Sequence, residues 1–143
     1  MDIFIAKTEK ELEEVYRIRK IVFVDEQHVP MEEEVDDFEK EAIHFIGYHE
    51  DEVVAASRLR FVDELGKLER ICVLKPYRGK SYGKKIIERM EAEIAKRGYS
   101  KAKLHAQTHA KEFYERLGYK VVSEQFFDAG ILHVAMAKTL KNQ

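Results

Sequence analysis

The chain has 143 residues, 45% of them apolar and 36% charged, with a formal charge of −2 at pH 7. That size suits one domain over residues 1–143 that buries about two-thirds of its unfolded surface. With no run of eighteen apolar residues and no basic-then-apolar leader, neither a membrane span nor a signal peptide is expected. The single cysteine, Cys72, excludes an internal disulfide and suits a reducing cytoplasm, and no CxxC or HExxH spacing points to a metal.

From the N-terminus, Asp2 to Ala6 alternates as a short strand. Thr8 followed by Glu11 makes a capping box, and Leu12, Val15, Tyr16, Arg19 and Val22 recur behind it at helical spacing. Arg19 ends that stripe, where a charge needs a partner or a ligand. The segment Phe23 to Asp37 is interrupted by Pro30 and crowded with acid, which predicts a loop or short helix. Glu32, Glu33 and Glu34 read as solvated surface, whereas Glu26 and Gln27, beside Phe23 and Val24, are candidates for a pocket wall. Ala42–His49 and Val53–Val62 predict two strands around a turn at residues 50–52. Alternation places Arg58 and Arg60 on one face of the second, where they can grip a carboxylate or phosphate, or equally salt-bridge to the acidic segment.

A hairpin turn at Asp63–Lys67 leads into a strand from Leu68 to Leu74, which Pro76 stops because it cannot donate to a ladder. A helix beginning near Ser81 runs to Arg97 with Ile86, Ile87, Met90 and Ile94 on its buried stripe, and Gly98 is its left-handed stop. Lys101–Ala106 reads as a strand, the stretch from Thr108 as a short helix closed by Gly118, and Tyr119–Phe127 and Ile131–Ala137 as two final strands. This order predicts one α/β domain with a mixed sheet.

Between strand and helix lie Arg78, Gly79, Lys80, Ser81, Tyr82, Gly83 and Lys84. A glycine-bearing loop opening a helix presents unpaired N–H groups with the helix dipole behind them, an anion site suited to phosphate. An ordinary solvated corner is the competing reading. Charge supports the former: residues 1–56 hold 6 basic and 17 acidic side chains, and residues 57–143 hold 19 and 10. The basic half suits an anionic ligand and the acidic half a cationic one. A nucleic-acid reader would be basic overall, so no nucleic-acid partner is expected.

Arg78, Ser81 and Gly83 fall on the defining positions of the R-x-x-G-x-G/A loop of the GNAT N-acetyltransferases, which this chain resembles; Ser81 replaces the usual glycine. Phe113-Tyr114-Glu115-Arg116-Leu117-Gly118-Tyr119 is similar to a second motif of those enzymes. Arg19, Val22-Phe23-Val24, Glu26-Gln27, Pro30, His44, Ala106-Gln107-Thr108-His109, Gly130-Ile131 and His133 together resemble the ElaA/YjcF-like branch, with Leu132 in place of a frequent proline. The resemblance implies a mostly antiparallel central sheet flanked by helices. It also implies acetyl-CoA as cosubstrate, held by the loop at 78–84, by the strand Ile71-Cys72-Val73 and by Gln107. A backbone N–H near Cys72 or Val73 would polarise the thioester oxygen, and Tyr114 would act as general acid. Glu26, Glu69 or His109 would serve as base, directly or through a water, unless the amine arrives neutral. Cys72 is read as packing rather than as a nucleophile, and His44 and His133 as hydrogen-bonded structural residues. The acceptor, a small primary amine, would meet Phe23, Gln27, Arg58 and Arg60, with a monomer or homodimer expected. Transfer of another acyl chain, or a CoA-binding regulatory domain without turnover, are the rival readings.

Overall fold

The computed structural model describes residues 1–140. Among them the elements run β1 (Asp2–Ile5), α1 (Glu9–Arg19), α2 (Met31–Glu34), β2 (Ile43–His49), β3 (Glu52–Val62), β4 (Leu65–Val73), α3 (Tyr82–Lys96), β5 (Lys101–Gln107), α4 (Lys111–Arg116), β6 (Lys120–Val121), β7 (Phe126–Asp128) and β8 (Ile131–Thr139). The strands form one sheet in the order β1-β2-β3-β4-β5-β8-β6, with β7 also on β8. Every neighbouring pair is antiparallel except β4 and β5. The architecture is therefore the mixed, mostly antiparallel α/β sheet flanked by helices that the resemblance implies.

Local chemistry explains the elements. Thr8 accepts the N–H of Glu11 while Glu11 accepts the N–H of Thr8, so the capping box forms as expected. Asp63 and Glu64, both at positive φ, make the two-residue turn that joins β3 to β4. Two apolar cores result. α3 packs Ile86, Ile87, Met90 and Ile94 with Leu59, Leu68 and Leu104; α1 packs Val15, Ile18 and the following Val22 with Ile46, Ala56 and Cys72.

Two departures from expectation shape the site. α1 does not give way to a loop: it continues as a π-helical stretch, Lys20–Glu26, in which the N–H of Gln27 reaches back to Val22 O at 3.2 Å. The wider turn changes which side chains face the sheet, a device common near functional sites. The single strand expected over Tyr119–Phe127 is broken into β6 and β7. Between them the Ser123 hydroxyl accepts the N–H of Ala135 at 2.8 Å, replacing a ladder bond that a backbone carbonyl would have made.

The central feature is a parting of β4 from β5. They pair only over Gly66–Leu68 and Ala102–Leu104. Gly66 has no room for a side chain, because a Cβ would meet Ile94 Cδ1 at 2.4 Å, so β4 begins tight beneath α3. Further on, β3 advances two residues between Ala56 and Arg58 while β4 advances three between Cys72 and Glu69. The extra residue makes a bulge, with Arg70 at φ 55°, and bulges bend a strand and terminate pairing. Beyond it, residues 69–73 of β4 have no partner on the β5 side.

Candidate active site

The parted strands enclose a cleft of about 320 Å³. Its walls include Phe23 from the π-helical stretch and Gln27 just after it, Glu69 and Ile71 from β4, Tyr114 from α4 and His133 from β8. Backbone polarity along the β4 wall follows from one bond: the N–H of Leu74 donates to Val54 O at 2.9 Å. Alternation then turns the N–H of Cys72 toward β3 and those of Ile71 and Val73 toward the open edge. Of the two amides proposed to polarise a carbonyl, only that of Val73 faces the cleft side.

The wall continues into the basic turn. None of the N–H groups of residues 79–84 finds an acceptor among the described residues, and the first backbone bond of α3 is Lys85 N–H to Ser81 O at 3.2 Å. Gly79 stands at φ 80° and Ser81 at φ 65°. Ser81 thus occupies a left-handed position, which is the physical reason glycine suits it. A concave run of free amides at a fifteen-residue helix is what an anion needs. Tyr82 offers only its amide, because its side chain is buried and its hydroxyl is hydrogen-bonded to His49 Nδ1 at 2.7 Å. A Cβ on Gly83 would meet Phe113 Cζ of α4 at 3.4 Å, and Lys80 and Lys84 are exposed.

Arg78 is more committed than a free phosphate ligand would be. Its Nε donates to Val73 O at 2.8 Å, and its two terminal nitrogens donate to the Glu26 carboxylate at 2.6 and 2.8 Å. The Arg78 hydrogen bond holds Glu26 below the usual carboxylate range, so Glu26 is a tie between turn and π-helical wall and a poor base. Glu69 fares similarly. Burial would raise its carboxyl, but the hydrogen bond from Arg60 and the charges of Arg58 and Lys67 lower it. His109, exposed on the turn after β5, is the only one of the three base candidates at the cleft without such an ion pair among the described residues.

Tyr114 is half-buried on the cleft wall, and its hydroxyl makes no hydrogen bond among the described residues. Burial pushes its phenol up to about 12. A phenol that keeps its proton is a hydrogen-bond donor, as the role expected of Tyr114 requires. Cys72 is buried, its Sγ–H donating to Ala56 O at 3.6 Å, and burial raises its thiol to about 12. It is packing, as read from the sequence, and contributes its strand rather than its sulfur.

Gln27 and Gln107, expected in separate roles, touch: the Gln107 amide donates to Gln27 Oε1 at 2.9 Å, linking the π-helical wall to β5. The expectation that Arg58 and Arg60 grip an anionic acceptor does not fit. Arg58 is 1% exposed and donates to Asp36 at 2.7 and 3.0 Å and to Glu69 at 2.9 Å, with Glu39 at 3.0 Å. Arg60 is tied to Glu69 at 2.8 Å and lies over Phe38. The competing reading, salt bridges to the acidic segment, is the one observed. Arg19 completes it with Glu34 and Glu39 at 2.7 and 2.8 Å. Arg70, which sequence reasoning passed over, reaches from the bulge to the Glu33 and Glu34 carbonyls. Three of the seventeen acidic side chains in residues 1–56, Glu34, Asp36 and Glu39, are therefore consumed in pinning this segment to α1 and the sheet.

A splayed β4–β5 pair, a free amide facing the gap and an amide-lined turn at the head of α3 define an acyl-group-transfer architecture. The chain belongs to the GNAT acetyltransferase family: the model of the acetyltransferase (GNAT) domain matches residues 7–140. Among its relatives, the uncharacterized N-acetyltransferase YjcF of Bacillus subtilis is 46% identical over 139 residues, covering 96% of this chain and 99% of that protein. Protein ElaA of Escherichia coli is 31% identical over 127 residues, covering 85% and 83%, and its crystal structure superposes with a TM-score of 0.84 at 23% identity over 96% of this chain and 98% of that one. A Bacillus subtilis acetyltransferase solved in complex with CoA shares the fold at a TM-score of 0.73 and 15% identity, covering 97% and 98%.

Proposed function

We propose that the protein moves an acetyl group from acetyl-CoA to a small-molecule primary amine, by direct transfer in a ternary complex. The observation that carries this reading is two sets of unpaired amides on one wall, Val73 at the parted edge of β4 and residues 79–84 in the turn, beside the open gap between β4 and β5. A diphosphate suits the turn, and the pantetheine arm suits the unpaired edge of residues 69–73 as an added strand. A protein of the same fold solved in complex with CoA supports CoA as the ligand.

In this reading each residue has one task. The amides of residues 79–84 hold the diphosphate. Lys80 and Lys84 add charge, and Arg78 buttresses the turn through Glu26 and Val73 O. The Val73 N–H donates to the thioester oxygen as negative charge develops there; losing such a donor costs about 3 kcal/mol of transition-state stabilisation. Tyr114 donates to the sulfur as the C–S bond breaks. Phe23 and the Gln27–Gln107 pair line the acceptor side. Because the arginines are already paired, the acceptor requires no anionic group.

The test is thiol release from acetyl-CoA across a panel of primary amines, run beside Tyr114→Phe. Turnover that depends on an amine, and falls in the variant, supports the proposal. Tight CoA binding without turnover for any amine would instead favour a regulatory domain, and turnover only with longer acyl thioesters a different acyl chain.

A further inference from the structure

We infer that His133 is the catalytic base that takes the proton from the acceptor ammonium, an inference that rests on the acetyl-transfer reading above. His133 Nδ1 lies 2.7 Å from the carbonyl oxygen of Ile131. A carbonyl only accepts, so Nδ1 carries the proton, and a neutral ring leaves Nε2 as a lone pair. Nε2 has no hydrogen-bond partner among the described residues, yet it is not sealed: the buried unpartnered side-chain atoms are His44 Nδ1 and Ser57 Oγ. The residue is only 9% exposed and lines the cleft, so the open part of the ring is presented there. This combination is what a base requires: one nitrogen fixed by the backbone, the other free and facing the reaction space.

The ring is also held in place. It stacks on Phe126 with centroids 6.0 Å apart and planes 20° from parallel. In the ladder His133 stands opposite Gln107, at the end of β5 that has parted from β4. The ionisable groups on the cleft wall besides His133 are His105 on β5, Asp128 on β7, Lys67, Glu69 and Arg70 on β4, Glu33 and Glu34 on α2, Tyr114 on α4, and His109 beyond β5. Lys67 and Glu69 pair with each other at 3.3 Å. The two carboxylates first considered as bases are each locked to arginine, whereas His133 Nε2 is free.

The step balances simply. Nε2 takes one proton from the ammonium, and the neutral nitrogen forms the new C–N bond to the thioester carbon. The C–S bond breaks with its electron pair on sulfur. The second proton lost by the nitrogen ends on that sulfur, and the imidazolium returns its proton to solvent.

His133→Asn is the discriminating variant, because its side-chain amide can still donate to Ile131 O while the Nε2 lone pair is gone. Expected results are a kcat about 10²-fold lower, an acetyl-CoA KM within twofold of wild type, and an unchanged Tm. The variant's rate should climb with pH toward the acceptor's own pKa, as free amine replaces the missing base. Independently of activity, the imidazole ¹⁵N spectrum of the wild type should show His133 protonated at Nδ1 and bare at Nε2. A kcat within threefold of wild type, a pH profile parallel to wild type, or an Nε2–H tautomer would overturn the inference. So would the same loss in His105→Asn with none in His133→Asn. If His133→Asn does not fold, the ¹⁵N tautomer of the wild type decides. Wild-type turnover with an indifferent variant sinks this inference alone; a wild type silent on every amine sinks the transfer reading with it.

Discussion

Tyr114 keeps its proton across the physiological range because burial pushes its phenol up to about 12. A group that stays protonated can donate to sulfur at any working pH but cannot itself titrate there. Tyr114→Phe is therefore expected to lower kcat about 10²-fold, with no change in the shape of the pH–rate profile between pH 6 and 9. An inflection that disappears with the hydroxyl would contradict this. Ser81 makes a different prediction. At φ 65° it holds a conformation that costs a side-chain-bearing residue about 1 kcal/mol or more. Ser81→Gly should raise Tm by about 3 °C without weakening CoA, as measured by thermal melting and calorimetry. Both residues were legible in the sequence as motif positions. The strain at Ser81 and the state of the Tyr114 phenol were not, because φ and burial belong to the folded chain. From sequence His133 reads as a hydrogen-bonded structural residue; which nitrogen the Ile131 carbonyl claims is visible only in the folded chain.

The elements expected from periodicity and caps are present: the capped first helix, the two central strands, the strand–turn–helix unit around residue 78 and the helix with its stripe of isoleucines. Periodicity did not anticipate what sets the cleft. The bulge at Arg70 and the short β4–β5 ladder arise from mismatched pairing between segments, which no local pattern encodes, and the π-helical turn departs from the 3.6-residue period by which helices are read from sequence. The arginine pairs are tertiary in the same way, since Arg58 and Asp36 are 22 residues apart and meet only when α2 lies on the sheet. That placement turns a presumed ligand site into a structural knot. Arg58→Ala would strand Glu39 and Glu69 partly uncompensated, at a cost of about 3–5 kcal/mol. The variant should melt about 10 °C lower, and its folded fraction should retain the wild-type acceptor KM. A raised KM with unchanged Tm would restore the anionic-acceptor expectation.

Over the whole molecule, the buried charge network makes stability acid-sensitive. Burial alone would raise Glu39, but Arg19 and Arg58 override it and hold the carboxyl at about 2, below its ordinary 4.5. A depressed carboxylate contributes stability above the unfolded value and loses it as pH falls through the folded one. Glu39 accordingly supplies about 3 kcal/mol that vanishes between pH 4.5 and 2. Burial also depresses His44 from its ordinary 6.5, so the unfolded chain takes that proton first and stability starts to decline below pH 6.5. Thermal melts should show Tm falling gently from pH 6.5 and steeply below 4.5. Glu39→Gln should start lower and show a flatter acid limb; a wild-type Tm independent of pH down to 3 would refute this.

The relation between the parted strands and the amide-lined turn is tested most directly by following backbone N–H resonances while CoA is added. Shifts concentrated at Val73 and residues 79–84, with β6 and β7 unmoved, are the expected result. Saturable binding that leaves those amides unperturbed, or shifts confined to another part of the sheet, would contradict it.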